Sequence, residues 1–331
     1  MTWMVTGGAG YIGAHVVEAF RAVGIDTVVV DNLSSGHRGF VPEDVPFVQA
    51  DLNDRAALDG AFAAHPVAGV VHIAGYKYAG ESVRKPLRTY RDNVTGMVAL
   101  LETMEGAGVV NMVFSSSAAT FGTPDGELVT EASATVPESP YGETKLIGEW
   151  LLADQARAAG LRHTSLRYFN VVGSGTDRIS DTSPHNLFPL VFDALVAGRT
   201  PRINGADYPT PDGTCVRDYI HVADLAEAHV AAARRLEAGE PVEPVYNLGS
   251  GAGTSVREIM DAMASVTGID FEPEVQDRRP GDPARIVADG TLAARDLGWT
   301  TRHSVQDMVA SAWSARQAWE ARQTREARSV G

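Results

Sequence analysis

Tyr141 and Lys145 stand four residues apart in Tyr141-Gly142-Glu143-Thr144-Lys145, directly after Pro140. On a helix that spacing puts both side chains on one face, about one turn apart. A free tyrosine loses its proton at about pH 10. A neighbouring positive charge favours the phenolate and lowers that value. A tyrosine so placed can act as a general base near neutral pH. The same spacing also arises by chance, as a half-exposed Tyr beside a solvated Lys. Further upstream, Phe114-Ser115-Ser116-Ser117 closes an apolar run with three hydroxyls. If that run is a strand, Ser117 sits at its carboxyl end, where open α/β sheets bind ligands.

Such a pair needs elements to hold it. Short apolar runs at Thr2–Thr6, Asp26–Val30, Pro46–Ala50, Gly69–Ile73, Val109–Ser115 and Arg162–Arg167 read as strands. Amphipathic stretches at Tyr11–Val23, Arg55–Ala64, Leu87–Gly106 and Tyr141–Ala159 read as helices. Val28-Val29-Val30 and Val70-Val71 are apolar without alternation, as in strands covered on both faces. Repeated βα units of this kind predict a doubly wound parallel sheet of the Rossmann type. After Asn170 the pattern changes. Residues 171–184 are rich in Gly, Ser, Thr and Asp and read as a loop. Helices follow near Pro189–Ala197, Val222–Leu236 and Ser255–Val266, with a strand at Val245–Leu248 and a charged helical tail over Ser304–Arg328. The expected organisation is a nucleotide-binding domain over 1–170, to which 222–248 returns. Residues 171–221 and 249–331 would form a smaller C-terminal lobe.

The first strand runs into Gly7-Gly8-Ala9-Gly10-Tyr11-Ile12-Gly13, a G-x-x-G-x-x-G spacing ahead of a helix. Gly7 permits the tight turn, Gly10 lets backbone approach a pyrophosphate, and Gly13 lets helix and sheet pack closely. The helix N-terminus, with Tyr11 and Ile12, offers free N–H groups and a positive dipole end to phosphate. Asp31 closes the second strand, eighteen residues after Gly13, with Asn32 behind it. A carboxylate there accepts from the adenosine ribose and repels a 2′-phosphate, which favours NAD over NADP. Helix capping is the competing role for that aspartate. Asp51-Leu52 and Ile73-Ala74-Gly75 close the third and fourth strands, where adenine and the cofactor backbone would pass.

A net charge of −14 argues against a nucleic-acid partner, since nothing would neutralise a phosphate backbone. An anionic small substrate then needs its own local Arg or Lys. One cysteine, Cys215, allows no intrachain disulfide, which fits a cytoplasmic protein. The N-terminus lacks the basic and apolar regions of a signal peptide, and no apolar run approaches a membrane span. The nine histidines show no metal-ligand spacing, and His221 reads as structural. No metal is expected.

The segments TGGAGYIGAH, DNLSSGHR, GESVRKPL, FSSSAATFG, SPYGETK, LRYFN, NLFPL, DGTCVRDYIHV, YNLGSG and RRPGDPA carry a resemblance. The chain resembles the extended short-chain dehydrogenases, and within them the UDP-glucose 4-epimerases, from residue 5 to about 284. The resemblance implies that Tyr141 is the base, that Ser117 relays or orients the proton, and that Lys145 binds the nicotinamide ribose. It adds Lys77, Asn93, Tyr168 and Phe169 to the cofactor contacts. It assigns Asn170, Asn186, Leu187, Arg217, Arg279 and Asp282, with Ser117 and Tyr141, to a UDP-sugar. Each guanidinium of Arg217 and Arg279 can hold phosphate bidentately. The resemblance also implies tightly held NAD, a transient 4-keto sugar and a homodimer.

Two related chemistries lack their groups here. Nucleotide-sugar 4,6-dehydratases carry Asp-Glu directly after the strand hydroxyl, and the related decarboxylases a Glu. This chain has Ala118 and Ala119, which can donate no proton. A non-catalytic NAD sensor would not need the Ser, Tyr and Lys set, and a plain sugar dehydrogenase would release NADH. The sugar itself stays open. Arg178 or His185, in a shortened loop, could favour a uronate carboxylate. Ile286, where the family gates N-acetyl groups, leaves N-acetylhexosamines open.

Overall fold

The computed structural model describes residues 1–124, 126, 128–279 and 282–329, the side chains of 326–329 excepted. Pro280 and Gly281 of the RRPGDPA segment lie outside the described residues.

The first half alternates as β1 (Thr2–Thr6), α1 (Tyr11–Ala22), β2 (Asp26–Asp31), β3 (Phe47–Gln49), α2 (Arg55–Ala64) and β4 (Val67–His72). Then come α3 (Ala79–Arg84), α4 (Pro86–Tyr90), α5 (Gly96–Gly106), β5 (Asn111–Ser115), α6 (Pro140–Ala159) and β6 (Arg162–Tyr168). The second half holds β7 (Asn170–Val172), α7 (Leu187–Val196), β8 (Arg202–Asn204), β9 (Val216–Arg217), β10 (Tyr219–His221), α8 (Val222–Glu237) and β11 (Val245–Leu248). It closes with β12 (Thr254–Ser255), α9 (Val256–Thr267), β13 (Glu274–Gln276), β14 (Arg285–Ile286), α10 (Thr291–Leu297) and α11 (Val305–Ser329).

Seven strands form one sheet in the order β11-β6-β5-β4-β1-β2-β3. Every pairing in it is parallel, so the doubly wound sheet expected from the sequence is present. The order reverses between β1 and β4, and ligands in such sheets bind at the carboxyl end of that switch point. The strands bury both faces. Trp3, Val5 and Val29 pack with α1 and α8 on one side, and Met4, Val28 and Val30 pack with α2, α5 and α6 on the other. That is why these strands read as unbroken apolar runs. β11 pairs with β6 at one edge, and α8 packs on α1.

A separate core holds the second half together. Phe188 and Phe192 of α7, Ile259 and Met263 of α9, and Met308 and Val309 of α11 meet around Ile203 and Tyr219. Three short sheets complete this half: β10 with β7, β12 with β9 and β14, and β13 with β8.

One expected element divides. The stretch read as a single helix over Leu87–Gly106 is α4, a π-helical turn over Arg91–Thr95, and α5. The wider turn carries Asn93, and π-turns of this sort usually mark functional positions. α3, the short lobe strands and α10 carry too little periodicity to be read from sequence.

Candidate active site

Gly7 leaves β1 with φ +73, and a Cβ there would lie 2.7 Å from Ala74 N, just past the end of β4 across the switch point. A Cβ on Gly13 would meet Gly7 O at 2.1 Å, so the turn of the loop and the first turn of α1 interlock through hydrogen atoms alone. Gly10 is the N-cap of α1, and a Cβ there would come within a tight 3.3 Å of Gly7 O. No side chain caps the helix. Its first N–H groups, from Tyr11 onward, therefore face the cleft that Gly10, Tyr11, Ile12 and Gly13 line.

Asp31 is buried and braces this loop. Its carboxylate accepts from Ala9 N at 3.0 Å and from Leu33 N at 2.7 Å. Burial pushes its pKa up, and those two N–H groups oppose the shift. Leu33 holds φ +58 in the turn that follows, a conformation that costs a non-glycine residue energy and clusters at ligand sites. Asn32 donates to Asp51 at 2.8 Å, which ties the ends of β2 and β3 together; the Asn53 backbone N–H, helped by Asn32, holds Asp51 below the ordinary carboxylate range.

A cleft of about 1210 Å³ opens over these strand ends. Along it lie Gly7, Asp31, Asn32, Asp51, Leu52, Ile73, Ala74, Gly75 and Lys77. Ser117, Tyr141, Lys145, Tyr168 and Phe169 follow, and Asn170, Asn186, Leu187, Arg217, Arg279 and Asp282 complete the far end. Of the residues assigned from sequence to NAD or the UDP-sugar, Asn93 alone stands behind this surface. It is buried in the π-turn, accepts from Tyr76 N at 2.6 Å, and donates to Tyr76 O at 3.0 Å and Thr144 Oγ1 at 2.9 Å. Asn93 thus joins the end of β4 to α6.

α6 presents the Tyr and Lys pair. Ser139 caps it by accepting from Gly142 N at 3.2 Å, and Pro140 starts its first turn. Ser82 of α3 accepts from Tyr141 N at 3.1 Å. Gly142 is required because a Cβ would press on Ala119 O at 2.3 Å, and this close approach seats Tyr141 beside Ser117. Burial pushes the pKa of the Tyr141 phenol up, and the Ser117 hydroxyl opposes that shift by a smaller amount. Here the structure corrects the sequence reading. Lys145 was expected to depress the phenol. Instead its Nζ donates to Ser115 O at 2.8 Å and stands 5.8 Å from the Tyr141 ring centre. Burial lowers Lys145 itself to about 8, the Glu149 carboxylate opposing. Beneath the pair, Glu149 is locked by Arg167 Nε and Nη2 at 2.9 and 2.5 Å and by Ser116 Oγ at 2.5 Å.

At the far end Arg217 donates to Asp282 at 3.0 Å, joining residues sixty-five apart in the chain. Asn186 donates to Asp181 at 2.7 Å. His185 stacks edge-on to Tyr78, with Nε2 3.6 Å from Glu81. Arg178 is elsewhere. Its guanidinium pairs with Glu18 and donates to Phe40 O at 2.7 Å, so it is not available to a uronate carboxylate in this cleft. Nor is Ile286 part of the described cleft lining; it pairs in register with Arg217. Among the described residues, no group of three His, Cys, Asp or Glu side chains is placed to hold a metal ion.

Residues 3–249 match the model of the NAD dependent epimerase/dehydratase family. The chain belongs to that family. A UDP-glucose 4-epimerase of Corynebacterium glutamicum is 42% identical over 95% of this chain and 95% of its own length. A UDP-glucose 4-epimerase from Brucella ovis, solved in complex with NAD, superposes with a TM-score of 0.91 at 40% identity, covering 96% of this chain and 98% of that one. One from Stenotrophomonas maltophila, with bound NAD and formylated UDP-arabinopyranose, gives a TM-score of 0.92 at 38% identity, covering 97% and 99%.

The residues of this family member fit NAD on their own chemistry. Gly10 leaves an open cradle at the uncapped helix start, where a Cβ would intrude. Asp31 stands at the end of β2 facing the same cleft. Several lining residues escaped the sequence reading. Ser34, Ser35 and Gly36 line the cofactor side, while Arg199, Thr200, Arg202 and Asn204 line the other end. DNLSSGHR contained the first three, but no spacing rule marks them. The others come from short lobe elements whose position depends on tertiary packing.

Proposed function

We propose that the chain catalyses the NAD-dependent 4-epimerisation of a UDP-hexose of the UDP-glucose/UDP-galactose type, with Ser117, Tyr141 and Lys145 as its catalytic set. One observation carries the reading. A single cleft joins the dinucleotide loop, the Ser, Tyr and Lys set and the Arg217, Asp282 and Arg279 group, across both halves of the chain. The relatives named above act on the substrate that this cleft would suit. We also assign 1–170, with 222–248, to the cofactor domain, and 171–221 with 249–331 to a lobe that holds the UDP-sugar.

The glycine loop, Asp31, Asp51, Lys77 and Tyr168 would hold NAD, which would supply a reversible acceptor for hydride from C4 of the sugar. Everything else falls to side chains. Tyr141 takes the proton of the 4-hydroxyl and gives it back after the sugar has turned. Ser117, on the same cleft wall as the phenol, aligns the hydroxyl being deprotonated. Lys145, its ammonium held on Ser115 O, is there to bind the cofactor ribose. Arg217, oriented by Asp282, and Arg279 hold the diphosphate by paired N–H bonds. A firmly held diphosphate and a loosely held hexose let the 4-keto sugar present its other face. With Ala118 and Ala119 beside Ser117, elimination toward C5 and C6 has no acid.

We further propose that the protein works in the cytoplasm as a homodimer. A lone cysteine and exposed Leu87 and Trp150 on α4 and α6 support this.

The test incubates purified protein with UDP-glucose, UDP-glucuronate and UDP-N-acetylglucosamine separately, without added NAD, and separates products by chromatography. Conversion of UDP-glucose to UDP-galactose without net NADH is expected. Conversion of only the uronate or only the N-acetylhexosamine would reassign the sugar. Accumulation of NADH would replace the reading with that of a dehydrogenase.

A further inference from the structure

The turn that carries Ser34, Ser35 and Gly36 along the cofactor side of the cleft has local bonds at its start, where Ser34 N donates to Asn32 Oδ1 at 2.9 Å, and is otherwise held by distant parts of the chain. It lies on the glycine loop: His37 N donates to Ala9 O at 2.9 Å, and a Cβ on Gly36 would press on Ala9 at 2.9 Å. From outside, two residues of the second half grip it. Arg178 donates to Phe40 O at 2.7 Å and to Gly39 O at 3.3 Å, and its guanidinium also pairs with Glu18 on α1. Trp319 of α11 sets its ring against His37 and Phe40, with centroids 4.8 and 5.5 Å apart. Arg178 and Trp319 are joined in turn. Arg322, one turn beyond Trp319, donates to Asp177 O and Arg178 O at 3.0 Å each, and Ser314 donates to the Asp177 carboxylate at 2.7 Å. His37 Nε2 lies 3.1 Å from Thr182 Oγ1, which adds a tie to the same loop.

We infer that Arg178 and Trp319 form a latch by which the C-terminal helix and the 174–182 loop hold the cofactor turn closed over the glycine loop. They are positioning residues for cofactor retention, and neither lines the cleft. The cause is elementary. A turn with two serines and a glycine samples many conformations, and only the fraction already shaped for the dinucleotide binds it. Phe40 is fully buried between α1 and α11, so the ring contacts and the Arg178 bonds act on the same short segment. The lobe that meets the sugar is thereby built into the cofactor site. This inference rests on the reading of the cleft as an NAD site.

The experiment compares wild type with Arg178→Ala, Trp319→Ala and the conservative Trp319→Phe. NAD content is measured by chromatography of nucleotide released from denatured protein. The dissociation constant for added NAD follows by calorimetry on stripped protein, and the thermal midpoint of the stripped form is read alongside. Both alanine variants should bind NAD more weakly by about tenfold, as the competent fraction falls. They should lose activity on dilution and regain it when NAD is supplied, while Trp319→Phe stays near wild type. NAD affinity unchanged in both alanine variants would overturn the latch. So would loss of activity that excess NAD does not restore, which would mark a general structural defect. If an alanine variant does not fold, Trp319→Leu and Arg178→Lys, each expected to bind NAD more weakly than wild type, carry the same affinity comparison. Wild type that binds no NAD would instead remove the cofactor reading itself.

Discussion

At the residue scale, the phenol of Tyr141 is the group whose environment matters most. Burial raises its pKa and Ser117 lowers it, so the resting protein keeps it protonated. The ammonium of Lys145 is held on a backbone carbonyl instead of on the phenol. Tyr141→Phe removes the proton acceptor and leaves the ring. Turnover should fall about 10²- to 10⁴-fold with nucleotide-sugar binding retained. A variant with turnover within about twofold of wild type would exclude Tyr141 as the base. The same reasoning gives a pH limb. Lys145 loses its proton at about 8, so its favourable charge is present below that value and lost above it. Turnover should decline as pH rises through that value, and a pH–rate profile in which Lys145→Met retains the same limb would refute the assignment. Ser117, Tyr141 and Lys145 were legible because two of them share one helix and the third ends a strand. Their electrostatic balance was not legible, because burial is a property of the packed site.

At the element scale, the glycine loop shows how backbone space selects residues. Gly13 faces Gly7 O at a distance no Cβ can occupy, whereas Gly60 on the exposed side of α2 has open space around it. Gly13→Ala should therefore abolish NAD retention, measured on the purified protein. Gly60→Ala should bind NAD normally and raise stability by about 0.5–1 kcal/mol in chemical denaturation, because it stiffens a helix at no steric cost. Equal behaviour of the two variants would remove the steric account. The π-turn over Arg91–Thr95 was hidden in the sequence behind an ordinary helical pattern. A one-residue widening leaves apolar periodicity nearly unchanged, and what demands it is the bonding of Asn93 to Tyr76 and Thr144. Asn93→Ala should cost about 1–3 kcal/mol of stability, the amount expected when buried polar partners are left unpaired.

For the whole molecule, buried imidazoles dominate the response to acid. Burial holds His15, His221 and His229 down to about 4, and His72 to about 3. A ring kept neutral in the fold but free to charge in the unfolded chain gives the unfolded state more protons below about 6.5. Stability is therefore full above that value and is lost as pH falls toward the folded pKa. Asp31, Asp181 and Asp218, raised by burial, work in the opposite direction near the ordinary carboxylate range. The urea midpoint should be lower at about pH 5.5 than at about pH 7, and a midpoint that rises would contradict the assignment. The buried histidines are bonded structurally: His72 to Thr6, His15 to Tyr11 O and Ser174, His229 to Ser115.

By itself the sequence determined the parallel sheet, the glycine loop with Asp31, and the Ser, Tyr and Lys set. Each is written in a contiguous segment whose spacing or apolar pattern acts through local geometry. Tertiary structure alone decided which cations serve the cleft. Arg178 and Arg217 are chemically the same side chain, yet Glu18 and the Phe40 carbonyl draw one to the back of the cofactor turn while Asp282 aims the other along the cleft wall. Pairings across tens to more than a hundred residues are set by the packing of one element on another, and no short-range pattern encodes them.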